Sequence, residues 1–295
     1  MSGKYGKGAK KDHPSKRTQK SSRELLGEPE ATPPSGTLER FEAKTLDQGQ
    51  SGSCVGHGTA QGVAISCAST GVALGFVPSP RTNYAVVRTL EKSAPTDALT
   101  DSGAMPADMM TALSGFGCRP IRPPTPDGRN SDIWTAADTT AEPPNVNVDE
   151  DLGDLLTAGQ KVLTGEYRID ETAADFLTQI EAAITAGYAV GIGIFVDSAF
   201  ENWSPSAQPQ GLTTTNFSDP NGGGHWLCMD AYQTSQDGSK TYSGPNSWSD
   251  TYGAGALVDT VNCPNPGGHY RVTDSWMREQ AAQGADIYVF KVSLV

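Results

Sequence analysis

The spacing of apolar positions changes character near residue 187. Before it, apolar residues recur at helical intervals. Val55, Ala60, Val63, Ala64, Ile65, Cys67 and Ala68 predict a helix over 54–70, with Ser53 at its N-cap. Arg81–Leu90, which follows a Pro-Ser-Pro break, and Pro106–Ser114 predict two more. Ala173–Ala186 predicts an amphipathic helix closed by Gly187. After it, short β-branched runs take over. Tyr188–Val196 carries glycines on one parity, and His225–Tyr232, Thr241–Pro245, His269–Thr273 and Ala285–Val292 continue the pattern as strands. Residues 1–40 are polar, interrupted at Pro33-Pro34-Ser35-Gly36, and read as an extended arm. Leu46–Gly52 reads as a loop, and Pro120–Asp149, rich in Pro, Asp, Thr and Asn, as a long connection. The expectation is an α+β protein: an arm over 1–40, a mostly helical lobe over 41–150 and a strand-rich lobe over 151–295.

Composition sharpens this only in part. Among 295 residues, 33 Gly and 20 Pro favour loops and turns over a helical bundle. The net charge of −12 argues against general nucleic-acid binding. It is unevenly placed: residues 1–23 sum to +7, with Asp12 their one acid, which leaves −19 on the rest. A basic arm on an acidic body suits docking onto an acidic protein partner or a larger assembly, against the simpler reading of a solvated tail. No apolar run is long enough for a membrane span, and the N-terminus has no secretory h-region. Five cysteines at spacings foreign to zinc ribbons read as reduced thiols, in a cytoplasmic or virion-associated protein.

One stretch carries chemistry. In Asp47–Gly62, DQGQSGSCVGHGTAQG, Cys54 stands where a Gly-Ser loop meets the predicted helix. A helix N-terminus favours thiolate over thiol. A nucleophilic cysteine also needs a histidine to move its proton, a group to orient that ring, and donors for the oxyanion. Gln48 lies six residues upstream of the thiol. His225 follows three glycines into a strand, and Asn246 begins Asn-Ser-Trp at the end of another.

These segments resemble the papain-like cysteine proteases. Gln48-Gly49-x-x-Gly52-Ser53-Cys54 is similar to that family's Q-G-x-C-G-S-C. Gly224-His225 resembles its histidine segment, and Asn246-Ser247-Trp248 with Tyr252-Gly253 its N-S-W-G-x-x-W-G. Gly267-Gly268-His269-Tyr270-Arg271-Val272 resembles its late G-G-Y-F-R-I strand. Weaker similarity covers Ser79-Pro80 with Tyr84, and Asp101-x-Gly103. The segments run in the family's order over about residues 41–295. The resemblance implies a two-lobe fold, with a helical N-terminal lobe and an antiparallel, β-barrel-like C-terminal lobe. It implies peptide-bond hydrolysis of protein or peptide substrates through a thioester on Cys54. His225 would be base and acid, Asn246 would orient it, and Gln48 would join the Cys54 N–H in the oxyanion hole. Trp248, Ser53 and Gly52 would support them, with no metal or cofactor.

There are departures. Ser51 replaces the family's cysteine, Val55 its aromatic residue and Ser249 its glycine after Asn-Ser-Trp. His225 and Asn246 stand 171 and 192 residues after Cys54, beyond the family's roughly 130–150. Insertions over 120–150 and 201–223 account for the excess. The 40-residue arm is short for an inhibitory propeptide, so ordinary zymogen control is not expected, and a divergent bacterial or bacteriophage-type member is. The alternative is an assembly component, for example of a phage particle, that keeps the fold with little or no peptidase activity. Cys67, Cys118, Cys228 and Cys263 read as inert thiols. His57, on the same helix face as Cys54, reads as a packed residue and not the base. Cys228 with His225 lacks the knuckle of a zinc site.

Overall fold

The structure is a computed structural model that describes residues 7–16, 20–28, 32–38, 45–91, 101–121, 160, 165–249, 251–253 and 267–293. Apart from Pro120 and Ile121, the expected 120–149 connection lies outside these residues, as does Cys263.

Three helices form one side: α2 (Cys54–Thr70), α3 (Pro80–Leu90) and α4 (Pro106–Phe116). Proline opens both α3 and α4 at a position that needs no N–H partner. Ser79 caps α3 by accepting the Thr82 N–H at 3.1 Å. Helix α2 is buried from Cys54 to Cys67 and therefore lacks a polar face. Its glycines let neighbours approach the backbone. A Cβ at Gly56 would lie 2.4 Å from the Pro80 carbonyl, one at Gly58 2.8 Å from the Trp226 ring, and one at Gly62 2.3 Å from the Phe290 ring.

The other side holds two sheets. One runs β1 (Lys20–Ser21), β3 (Tyr167–Arg168), β9 (Asp286–Val289), β4 (Val190–Val196), β5 (Gly223–Met229). The second runs β2 (Ser35–Thr37), β6 (Ala231–Thr234), β7 (Lys240–Pro245), β8 (His269–Thr273). Every pairing is antiparallel except β1 with β3. These sheets do not close, which corrects the expected barrel-like lobe. Asp230 breaks the expected continuous strand 225–232 into β5 and β6, which belong to different sheets. The glycine parity of β4 has a steric cause: a Cβ at Gly191 would lie 2.1 Å from Trp226, which crosses that face. The β4–β5 register pairs Gly193 with Trp226 and Ile194 with His225.

The arm is built into this body. Besides β1 and β2 it contributes α1 (Ser22–Leu26), closed at its N-terminus by a Ser21/Glu24 capping box. Helix α1 lies against α5 (Phe176–Thr185), where Arg23 grips both Asp175 oxygens at 2.8 and 2.7 Å. Two further helices, α6 (Ser198–Glu201) and α7 (Asp274–Ala282), complete the second side. Helix α7 went unread in the sequence, although Thr273 caps it and Trp276 and Met277 anchor it in the core.

Gly62→Val tests the close seating of α2. The new side chain must displace the fully buried Phe290 ring, and overpacking of this kind costs about 1–3 kcal/mol. The expected outcome is a lower denaturant midpoint at unchanged slope.

Candidate active site

Ser53 stands at the N-cap position of α2, but its hydroxyl does not cap the helix. It is turned toward Ser51 Oγ at 2.6 Å and His57 Nδ1 at 3.1 Å. The positive end of α2, at Cys54, is therefore not capped by the Ser53 hydroxyl. Gly52 donates its N–H to both oxygens of Asp101, at 3.0 and 2.8 Å, and Asp101 also accepts from the Tyr84 hydroxyl at 2.7 Å. The turn before the thiol is thus fixed from the helical side of the molecule.

Gln48 is fully buried, and its amide is oriented at both ends. Nε2 donates to the Ser51 carbonyl at 2.7 Å, while Oε1 accepts from the Ser247 hydroxyl. Main-chain pairing supports it: Gln48 N–H donates to the Ser247 carbonyl at 2.9 Å, and Asp47 bridges Trp248. The loop before Cys54 is joined in this way to the segment carrying Asn246.

His225 is fully buried on β5. Its Nε2 lies 2.8 Å from Asn246 Oδ1, which as an acceptor requires the proton on Nε2. Nδ1 is left as a buried lone pair with no hydrogen-bond partner. Trp248 stacks on the ring at 4.5 Å between centroids, 26° from parallel, and shields the His–Asn bond from water. Ser249, where the family pattern has glycine, keeps the left-handed backbone at φ 61°. The Cys54 thiol lies against the backbone of Trp226, the residue after His225. Cys54, His225, Asn246, Gln48 and Trp248 therefore meet at the junction of α2 with the sheets. His57, by contrast, points its Nδ1 at the Ser53 carbonyl and hydroxyl, both at 3.1 Å, within its own helix turn.

The site is covered, and sequence reasoning missed what covers it. The segment Lys7–Asp12 crosses the thiol. Ala104 donates to the Gly8 carbonyl at 2.8 Å, Lys10 N–H to the Ala104 carbonyl at 2.9 Å, and Ala9 N–H to the Gly224 carbonyl at 3.1 Å. The backbone of Gly8 and Ala9 reaches the thiol itself. The passage is tight enough to need glycine on both sides. A Cβ at Gly8 would lie 2.0 Å from the Gly52 carbonyl oxygen, one at Gly103 1.8 Å from that of Gly8, and one at Gly224 2.0 Å from that of Ala9.

Acidic groups of the same chain hold this segment. Lys7 pairs with Glu201, and Lys10 with Glu91 at 3.0 Å. Asp12 accepts from the Ala107 N–H at the start of α4 (3.0 Å) and from the Tyr288 hydroxyl (2.7 Å), while its own N–H donates to Asp286 at 2.9 Å. Over Lys7–Asp12 the arm docks inward, onto acidic groups of its own chain. The sequence signal was present, since Gly8-Ala9 is a small-residue gap inside a run of lysines.

Beneath this cover, burial sets the protonation states. It pushes the Cys54 thiol up to about 11, against weaker opposing hydrogen bonds from the backbone of Trp226, Gly8, Val55 and Ala9. It pulls His225 down to about 4, partly offset by the bond to Asn246, and His57 down to about 4 as well. Thiol and imidazole both rest neutral near pH 7.

This architecture recurs among solved structures. Xylellain, a cysteine protease from Xylella fastidiosa, is 19% identical with a TM-score of 0.64, covering 100% of this chain and 98% of its own. The fold is papain-like. A proCathepsin B S9 from Trypanosoma congolense (12% identical, TM-score 0.60, 98% and 87% covered) shares the papain-like fold. So does procathepsin L 3 from the larval midgut of Tenebrio molitor (15%, 0.55, 97% and 76%). No family model matches the chain, and no curated protein matches it.

The two buried histidines make stability depend on pH. The unfolded chain takes up their protons near pH 6.5 and the folded chain near 4. Their contribution is complete above pH 6.5 and is lost as pH falls toward 4. Denaturant midpoints measured from pH 7 to 4.5 are expected to fall, and His57→Gln to shallow that slope.

Proposed function

We propose that the chain is a cysteine peptidase and that the covered state is its latent form. The observation that carries the reading is the His225 ring, held through Nε2 by Asn246 under Trp248 while a buried, unpartnered Nδ1 remains beside the thiol-bearing helix. An orphaned buried acceptor costs about 1–3 kcal/mol. A proton relay gives such an acceptor a use.

In the reaction, with the Cys54 proton already passed to Nδ1 of His225, the thiolate sulfur bonds to the substrate carbonyl carbon. The oxyanion is met by the Cys54 N–H at the start of α2 and by the Gln48 amide. The tetrahedral adduct collapses, the C–N bond breaks, and His225 returns its proton to the leaving amine. Water then attacks the thioester, giving a proton to His225. The C–S bond breaks, and the thiol regains that proton as the acid leaves.

Latency is supported by the course of Lys7–Asp12 and by the dehydrated, neutral thiol–imidazole pair. Two of the proteins that share the fold are themselves proforms, procathepsin L 3 and proCathepsin B S9. Displacing the segment readmits water and lets the thiolate–imidazolium pair form.

A thiol-directed epoxide is expected to label the full-length chain poorly at pH 7. It should label Gly8→Leu, whose side chain cannot pass the Gly52 carbonyl, at Cys54 alone. Cys54→Ala removes the labelling. In the Gly8→Leu background, Asn246→Ala is expected to slow peptide turnover about 10²-fold or more with the fold intact. Equal labelling of another cysteine, or turnover that survives Cys54→Ala, overturns the reading.

A further inference from the structure

Beside the thiol the covering segment shows what one wall of the cleft accepts. The Lys7 side chain is only 10% exposed and pairs with Glu201, itself 5% exposed, at the end of α6. Its ammonium also donates to the Asn221 carbonyl. Its stem lies on the backbone of Gly223, where an added Cβ would be 3.1 Å from Lys7 Cδ and 3.4 Å from Cβ. The rim carries hydrogen bonds of its own, and its Asp219 carboxylate also attracts Lys7. Asp219 accepts the Ser198 and Asn221 N–H groups at 2.7 and 2.8 Å, and Glu201 N–H donates to the Asp197 carbonyl at 3.0 Å. A buried carboxylate, a carbonyl and a flat glycine floor together match a cation on an aliphatic stem.

The geometry points to a specificity subsite. Glu201 selects peptides that carry Lys or Arg beside the residue lying over Cys54, and Lys7 is the occupant that the latent form supplies. This rests on the peptidase reading above. When the arm leaves, the carboxylate remains deeply set. A basic side chain takes up the contacts that Lys7 makes with Glu201 and with the Asn221 carbonyl, whereas a neutral one of equal length makes neither. An acidic one is repelled.

The test uses the full-length Gly8→Leu chain and two peptides that differ only by Lys or norleucine next to the cleaved bond. The expected kcat/KM ratio favours lysine at least roughly tenfold. Glu201→Gln is expected to bring the ratio close to one through KM, and Glu201→Lys to favour a glutamate peptide. A ratio near one in the parent, or equal losses on both peptides in Glu201→Gln, overturns the subsite. Absence of any Cys54-dependent cleavage overturns the peptidase reading instead. The pocket is then read without turnover, or with unstable Glu201 variants, in the otherwise unaltered chain. Lys7→Met is expected to raise alkylation of Cys54 by iodoacetamide at least roughly tenfold, and Lys7→Arg to leave it near the parent rate. Equal rates for both overturn the pocket.

Discussion

The main-chain pairing of residues 46–48 with 247–249 is the constraint on which the rest depends. Gln48 donates to the Ser247 carbonyl, Asp47 bridges Trp248, and Ser249 donates to the Leu46 carbonyl at 3.3 Å. Two short loops that are 199 residues apart at Gln48 and Ser247 are locked in one register. That register aims the Gln48 amide, sets Asn246 against His225, and lays Trp248 over the ring. A slip of one residue would turn each of these side chains to the opposite face. The left-handed backbone at Ser249 belongs to the same device, since it turns the chain out of the pairing immediately after Trp248.

Around this clamp, large aromatic residues and glycines divide the space. Phe200 meets Trp248 edge-on at 5.7 Å and stacks with Tyr252 at 5.8 Å and Trp276 at 6.0 Å. Trp226 occupies the room left by Gly191 on β4 and Gly58 on α2. The helix that carries the thiol can thus approach β5, which carries the histidine, with one indole between them. The result is a water-poor junction in which a thiol and an imidazole both stay neutral.

Much of this was legible in the sequence, for a physical reason. A thiol at a helix start, a histidine entering a strand and an asparagine at a strand end, closely packed together, each need small residues beside them, and such local requirements leave local motifs around Cys54, His225 and Asn246. The helices and strands that periodicity predicted lie within a few residues of their observed bounds, because α3, α5 and β4 bury one face or one run, whereas α7 and the short elements of the arm left no such pattern. Two kinds of feature could not be read this way. The split of 225–232 and the open sheets depend on which strands pair, which no single strand records. The placement of Lys7, Gly8 and Asp12, and their approach to Gly52, Ala107, Glu201 and Tyr288, depend on contacts between residues far apart in the chain, from Gly8 with Gly52 to Asp12 with Tyr288. Ser53 misled because its residue type fits a cap, while its hydroxyl was drawn to His57 and Ser51 instead.

Asp12 ties together two properties that are usually considered separately. Its carboxylate accepts the Ala107 N–H in the first turn of α4 and the Tyr288 hydroxyl on β9, so it bonds both sides of the molecule from within the covering segment. The closed cleft and the well-folded body therefore draw on the same hydrogen bonds. Lifting the segment takes a capping anion from α4 and a partner from Tyr288 at the moment the thiol is uncovered. The population of open molecules is then not set by an independent lock. It is governed by the same equilibrium that keeps the two halves of the molecule assembled, and a substitution that loosens that assembly far from the cleft also raises the fraction of exposed Cys54.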